Sequence, residues 1–274
     1  MAVSYLRGWE SLDVSLSPGD SPVAFCGDLS PASVLGAYQR GIIPFPAHDD
    51  YSRNFNEFRY EDKVAEGVIA IVGDGQADPY GVAWWSPDPR PVMNVQQIHI
   101  GRNVRKRLRH GPEWATTANH SFQRVAEECR HSREPRWLTD PLLESLFDLH
   151  QMGWAHSVEV WEGDDLVGGA FGIAVGTTFS GDSMFNHRPG AARVAVADLA
   201  ARFAQAGGVA IDAQWDSPFL RSLGAEPMPR ERYLSMLAAG SAGVSRPLAL
   251  PSQPLPARRL GAHASAHTSQ LEAN

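Results

Sequence analysis

Apolar and polar positions along the chain follow two periods. From Ser30 to Arg40 the spacing is helical, with Ser30 as N-cap, Pro31 at the first helical position and Gly41 after the end. Asp140–Met152 repeats this arrangement, with Pro141 entering and Gly153 leaving. Three runs then predict strands: His156–Trp161, Leu166–Val175 and Thr177–Phe185. Glu162–Asp165 supplies a hairpin turn between the first two. The Ala-rich stretch Arg193–Ala206 predicts a helix ended by Gly207-Gly208, and Val209–Trp215 predicts one more strand. Short helices are expected over 218–224 and 230–239.

The order helix, antiparallel strands, helix, strand fits an α+β sandwich of the acyltransferase type. Three segments stand apart from it. Residues 1–24 are polar and turn-rich. Residues 47–80 look inserted, with a polar, aromatic first half and a short β segment, GVIAIVGDG, in the second. They carry eight acids against three Lys/Arg, so an acidic flap is expected there. Residues 241–274 are rich in Pro, Ala and Ser, and a disordered tail is expected.

Composition narrows the class of protein. The 274 residues suffice for a core without disulfides or a metal staple. No window approaches the ~18 uninterrupted apolar residues of a membrane span. The N-terminus lacks the pattern of a secretory signal. Cys26 and Cys129, far apart and outside any CxxC pattern, fit a reducing cytoplasm. A net charge of −7 argues against nonspecific coating of nucleic acid but leaves room for a local basic patch.

One such patch exists. GRNVRKRLRH, residues 101–110, holds five Lys/Arg and no acid. On a helix Arg102, Arg105, Lys106 and Arg109 share one face, while Val104 and Leu108 lie opposite. A solvated helix face usually mixes signs, whereas an unmixed basic stripe suits phosphates. The tryptophans of WWSPDPR (84–90) and Trp137 are either core filler or stacking platforms for a base. In IDAQ (211–214), period two places Asp212 and Gln214 on one strand face, as a structural hydrogen-bonded pair or as working groups. Gly168, Gly169 and Gly172 within a strand run indicate close packing.

Several signatures are missing: GxSxG, GxxxxGK[ST], HExxH, CxxC and GxGxxG. The ten histidines show no metal-ligand spacing, so no metal is expected. The Q/R-x-x-G-x-G/A loop that cradles coenzyme A in N-acetyltransferases is also absent. That loss weighs against the rival reading as a coenzyme A-dependent N-acetyltransferase.

GDLSPASVLGAYQRGIIPF (27–45), WWSPDPRPV (84–92), SVEVW (157–161), LVGGAFGIAVGTTFSGDSMF (166–185), IDAQ (211–214) and SLGAEPMPRERYL (222–234) together resemble the leucyl/phenylalanyl-tRNA–protein transferases. The resemblance covers roughly two-thirds of the chain. It implies a small N-terminal domain (1–89, with the flap at 47–80) and a larger acetyltransferase-like (GNAT-type) domain (90–240) with a mixed sheet and flanking helices. It also implies a monomeric cytoplasmic enzyme that uses neither metal nor coenzyme A. The implied reaction moves Leu or Phe, or also Met, from aminoacyl-tRNA to proteins with N-terminal Arg or Lys, which then enter N-end-rule degradation.

Position by position, Arg102, Arg105, Lys106 and Arg109 match the family's surface for the tRNA acceptor stem. Phe45, Trp137 and Asp182 match positions at the 3′-adenosine and aminoacyl site, with Phe45 where the family more often has Trp. Ala170, Phe179, Met184, Leu199 and Ile211 match the pocket for the amino-acid side chain, and Ala170 and Leu199 stand in for bulkier residues. Asp212 and Gln214 match the pair that handles the attacking amine. Asp182, Glu159 and the flap are candidates for an anionic subsite. The chain departs from the family at Phe185-Asn186, at GAAR (190–193), at SPFL (217–220) and in the length of 47–80. These departures motivate the other rival, a non-catalytic tRNA-binding adaptor.

Overall fold

The structure is a computed structural model, described over residues 5–73, 78–132, 136–242 and 247–261. In chain order the first elements are β1 (Tyr5–Leu6), β2 (Ala24–Phe25), α1 (Pro31–Tyr38), β3 (Ile43–Pro46), α2 (Asp50–Ala65), β4 (Ala70–Val72) and β5 (Val82–Trp85). There follow β6 (Arg90–Asn94), α3 (Arg102–His110), β7 (Trp114–Ala118), α4 (Phe122–His131) and α5 (Asp140–Gln151). Next come β8 (Ala155–Glu162), β9 (Asp165–Val175), β10 (Thr178–Asn186), α6 (Ala191–Gln205) and β11 (Ala210–Asp212). The last are α7 (Pro218–Leu223), β12 (Glu226–Met228), α8 (Arg230–Ser241) and β13 (Leu255–Pro256).

These elements form two compact units. One comprises Met1–Arg90, Arg133–Met152 and Met228–Val244; the other comprises Pro91–Ser132, Gly153–Pro227 and Ser245–Asn274. A single cut near residue 90 therefore captures the first boundary only, because α5 and α8 return to the N-terminal unit. A sequence scan cannot see that return, since nothing local in either helix marks the remote strands it joins.

The N-terminal unit is built on a five-stranded sheet ordered β1-β4-β2-β5-β3. β4 pairs in parallel with both β1 and β2, while β5 runs antiparallel to β2 and β3. This corrects the expectation of an inserted flap at 47–80. β4 is an interior strand, and Ile69 and Ile71 are buried with Phe25, Val64 and Ala83. The preceding polar stretch is the 16-residue helix α2, opened by a capping box in which Asp49 accepts from Ser52 N at 2.7 Å. The WWSPDPR motif serves as scaffold. Trp84 is fully buried and donates to Cys26 O at 2.8 Å. The Arg90 guanidinium lies 4.7 Å from the centre of the Tyr233 ring on α8. Asp88 accepts from Arg230 N at 3.0 Å, and Arg230 Nη1 donates to Ser86 O at 2.8 Å.

The second unit carries an eight-stranded sheet ordered β12-β6-β11-β10-β9-β8-β7-β13. β10 and β11 run parallel, and β6 through β9 otherwise pair antiparallel along the α+β plan expected from the sequence. Helix α6 covers one face, where Phe179 meets Phe203 with ring centroids 5.6 Å apart. Helix α4 covers the other, where Phe122 meets Phe171 at 5.8 Å. Gly168 allows the close approach of α6, since a Cβ there would lie 2.5 Å from that of Ala191.

The tail expected from residue 241 is also corrected. α8 runs to Ser241, and residues 247–261 are ordered. β13 pairs antiparallel with β7, with Leu255 opposite Thr116. Leu250, Ala257 and Leu260 are buried. Residues 262–274 lie outside the described residues.

Candidate active site

The polar centre of the second unit forms where the pairing of β10 with β11 ends. Their parallel register sets Phe179 opposite Ile211 and Ser180 opposite Asp212. Alternation therefore turns Phe179 and Ile211 toward α6 and Ser180 and Asp212 to the other face. Ser180 Oγ donates to Asp212 Oδ2 at 3.2 Å.

Strand β11 stops at Asp212, two residues short of Gln214, and Gln214 adopts φ +61°. This corrects the expectation that strand alternation pairs the two side chains. They meet through an Asx-type turn instead, in which Gln214 N donates to Asp212 Oδ1 at 2.8 Å. The Gln214 amide Nε2 then donates to Asp182 Oδ1 at 2.6 Å and to Ser180 Oγ at 3.1 Å. A carboxylate accepts only, so the amide nitrogen must face Asp182. Oε1 is left with no hydrogen-bond partner among the described residues. Asp212, Asp182, Ser180 and Gln214 are all buried.

Asp182 reaches this network because β10 breaks register. Gly181 faces Gly172, and the next paired residue is Ser183, opposite Phe171, so Asp182 is the extra residue of a β-bulge. The bulge also moves Met184 onto the face occupied by Phe179. Ala170, Phe179, Leu199 and Ile211 are buried in one apolar cluster, with Met184 partly buried against it. The structure thus brings Ala170, Phe179, Met184 and Ile211 of the sheet together with Leu199 of α6.

Phe45 and Trp137 belong to the N-terminal unit and pair there, with ring centroids 5.7 Å apart and planes 31° from parallel. The Trp137 indole N–H finds no partner among the described residues. Arg102, Arg105, Lys106 and Arg109 lie on α3 as expected, with Val104 buried beneath them. None of the four forms an ion pair with a described residue. Arg107, on the side of the helix, is held by the Trp114 ring at 4.3 Å and by Glu162 at 3.4 Å.

Glu159 has a different place from the one its charge invites. It is fully buried and accepts from Thr117 Oγ1 at 2.5 Å, Ser157 Oγ at 2.6 Å and Ser121 N at 3.3 Å. It ties β7, β8 and the start of α4 together. A carboxylate with three internal donors is a structural hub. Of the acids considered for an anionic subsite, Asp182 lies in the polar centre. Ser180 is the residue sequence reasoning missed. Its place two residues before Asp182 in the same strand is the available signal.

A buried amide with a free acceptor, braced by two carboxylates, is chemically able to hold an amine nucleophile for acyl transfer. Comparison with known proteins gives the family. The model of the family described as leucyl/phenylalanyl-tRNA protein transferase matches residues 92–238. A leucyl/phenylalanyl-tRNA–protein transferase of Idiomarina loihiensis is 38% identical over 218 residues, covering 78% of this chain and 79% of the relative. Those of Klebsiella pneumoniae and Shewanella baltica are 37% and 35% identical, covering 79% and 85% of this chain and 80% and 86% of the relatives. The chain belongs to the leucyl/phenylalanyl-tRNA–protein transferase family.

Among the described residues, no group of three or more His, Cys, Asp or Glu is arranged to hold a metal ion. No described helix is long and apolar enough to cross a membrane.

Proposed function

We propose that this chain transfers a leucyl or phenylalanyl group from aminoacyl-tRNA to the α-amino group of proteins with N-terminal Arg or Lys. In that role it marks them for N-end-rule degradation in the cytoplasm, where its two free, buried cysteines would stay reduced. The observation that carries the reading is Gln214, whose amide N–H groups are occupied by Asp182 and Ser180 and whose Oε1 is free to accept.

The donor ester is already activated. The nucleophile is an α-amine with a pKa near ~7.7–8.0, so an appreciable neutral fraction exists at pH 7. Strong base catalysis is not demanded, and holding the amine in line with the ester carbonyl supplies much of the rate. Gln214 Oε1 accepts an N–H of the amine as its nitrogen attacks the carbonyl carbon. The C–N bond forms, the bond from carbon to the 3′-oxygen breaks, and the amine proton passes through water or the 2′-OH to the leaving oxygen. Asp212 acts as a positioning residue through the Gln214 backbone and Ser180. Asp182 fixes the amide and adds negative potential for the cationic acceptor. The cluster of Ala170, Phe179, Met184, Leu199 and Ile211 receives the aminoacyl side chain. Phe45 and Trp137 offer ring faces for the terminal adenine. The α3 stripe takes backbone phosphates of the tRNA. The enzyme acts as a monomer and needs no cofactor.

The test is transfer of radiolabelled Phe and Leu from charged tRNA to a peptide with N-terminal Arg, beside a matched peptide with N-terminal Ala and an RNase-treated control. Incorporation that requires intact tRNA and the basic N-terminus is expected. Binding of tRNA without incorporation would make the chain an adaptor.

A further inference from the structure

The strap 247–261 does more than close the edge of the sheet. Its sequence, PLALPSQPLPARRLG, contains two arginines and no acid. It is held in place from within. Asp198 and Arg202 on α6 are buried and paired, with Nε to Oδ2 at 2.7 Å. Arg202 also donates to Pro251 O, and to Thr116 O at 3.1 Å. Arg259 joins Asp198 from the strap and donates to Thr116 Oγ1 at 3.1 Å. With β13 paired to β7, these bonds fix the backbone of the strap. Its last turn, Ala257–Gly261, packs against α3.

The result is that two acid-free basic segments of a chain with net charge −7 lie side by side. Arg259 is consumed internally. Arg258, its neighbour, is exposed and forms no ion pair or hydrogen bond with a described residue. Mutual repulsion between unpaired cations is tolerated where a polyanion relieves it. We infer that the strap is a second element of the tRNA interface, with Arg258 contacting backbone phosphate and extending the α3 stripe. This rests on the reading of that stripe as the surface that binds tRNA. The rigid anchoring by Asp198, Arg202 and Arg259 presents Arg258 without a large ordering cost on binding. The strap lies beyond the residues that the family model matches, 92–238.

The experiment measures binding of full-length protein to fluorescent aminoacyl-tRNA across a salt series, for wild type, Arg258→Ala, Arg258→Lys and the double variant Arg105→Ala/Arg109→Ala. Arg258→Ala should weaken binding about two- to fivefold and reduce the slope of log K against log salt by about 0.7–0.9, one phosphate contact. Arg258→Lys should retain most of the slope. The melting temperature should not move, because Arg258 anchors nothing. Unchanged affinity and slope for Arg258→Ala, with weakened binding for the α3 double variant, would overturn the strap's role and leave the wider reading standing. Failure of wild type to bind tRNA would overturn the wider reading itself.

Discussion

Gln214 Nε2 donates to Asp182 Oδ1 at 2.6 Å, so the residue just past the last core strand is clamped to the unpaired residue of the β10 bulge. Two irregularities, a positive φ and a bulge, are both needed to bring them together. Each is a local departure that regular strands would not tolerate, and such departures concentrate at working sites.

Gln214→Ala removes the free acceptor and should lower kcat about 10- to 100-fold, or ~1.4–2.7 kcal/mol of barrier. Asp212→Asn should also lower kcat, because it withdraws the buried charge that orients Ser180 and the Gln214 backbone. KM for both substrates should stay within about threefold. Steady-state kinetics with charged tRNA and an Arg-initiated peptide decide the matter. A large rise in KM at constant kcat would make both residues binding groups.

Glu159→Ala should act on stability. It leaves the hydroxyls of Thr117 and Ser157 and the Ser121 N–H without their acceptor, at ~1–3 kcal/mol for each group left unsatisfied. Urea unfolding should show a loss of about 3 kcal/mol or more. A variant of unchanged stability with raised KM for the Arg-initiated peptide would instead return Glu159 to the acceptor subsite.

How far the sequence could be read follows from how local each signal was. Helices α1 and α5 were legible because their caps and stops lie within a few residues of them. The hairpin of β8 and β9 was legible for the same reason. Helix α2 was not, because its aromatic stripe faces solvent: Tyr51 is 77% exposed, Phe55 51% and Phe58 82%. Of its residues only Val64 is buried, so no inward stripe marks the helix. β4 is three residues long and its partners are remote in sequence. The strap escaped because its anchor, Asp198, lies about sixty residues away. In the candidate site, the IDAQ motif points to Asp212 and Gln214, but they meet through the turn at Gln214 and not by strand alternation. Met184 and Phe179 have opposite parity, and only the bulge puts them on one face.

The tether of α2 gives a pH prediction. Arg53 donates to Asp78 at 2.5 Å and 3.1 Å, and these bonds hold the Asp78 carboxyl below its ordinary value of 3.8. Hydrogen bonds from Ser52 do the same for Asp49. Both folded-state values are depressed, so both contributions are complete above the ordinary value and disappear as pH falls through the lowered ones. Circular dichroism should therefore show a constant helix signal at neutral pH and a loss confined to pH values below 3.8. Arg53→Ala should raise the pH at which the loss begins. A signal that already declines near neutrality would show that other groups hold α2.

Ala170 and Leu199 set the width of the apolar cluster proposed to receive the aminoacyl side chain. Both are buried on the α6 side of the sheet, and Ala170 pairs across β9 and β10 with Met184. Smaller side chains at these two positions leave room for a ring, so Phe-tRNA should exceed Leu-tRNA in kcat/KM. An apolar pocket discriminates by shape alone, which limits the preference to ~1–3 kcal/mol, or about 10- to 200-fold. Ala170→Leu should narrow the proposed side-chain site and shift the preference toward Leu, with an overpacking cost of ~1–3 kcal/mol that thermal melting would register. The decisive quantity is the ratio of the two kcat/KM values in wild type and variant, since a general loss of folding lowers both alike. A wild type that prefers Leu-tRNA, or a variant whose ratio does not move, would remove Ala170 from the side-chain pocket.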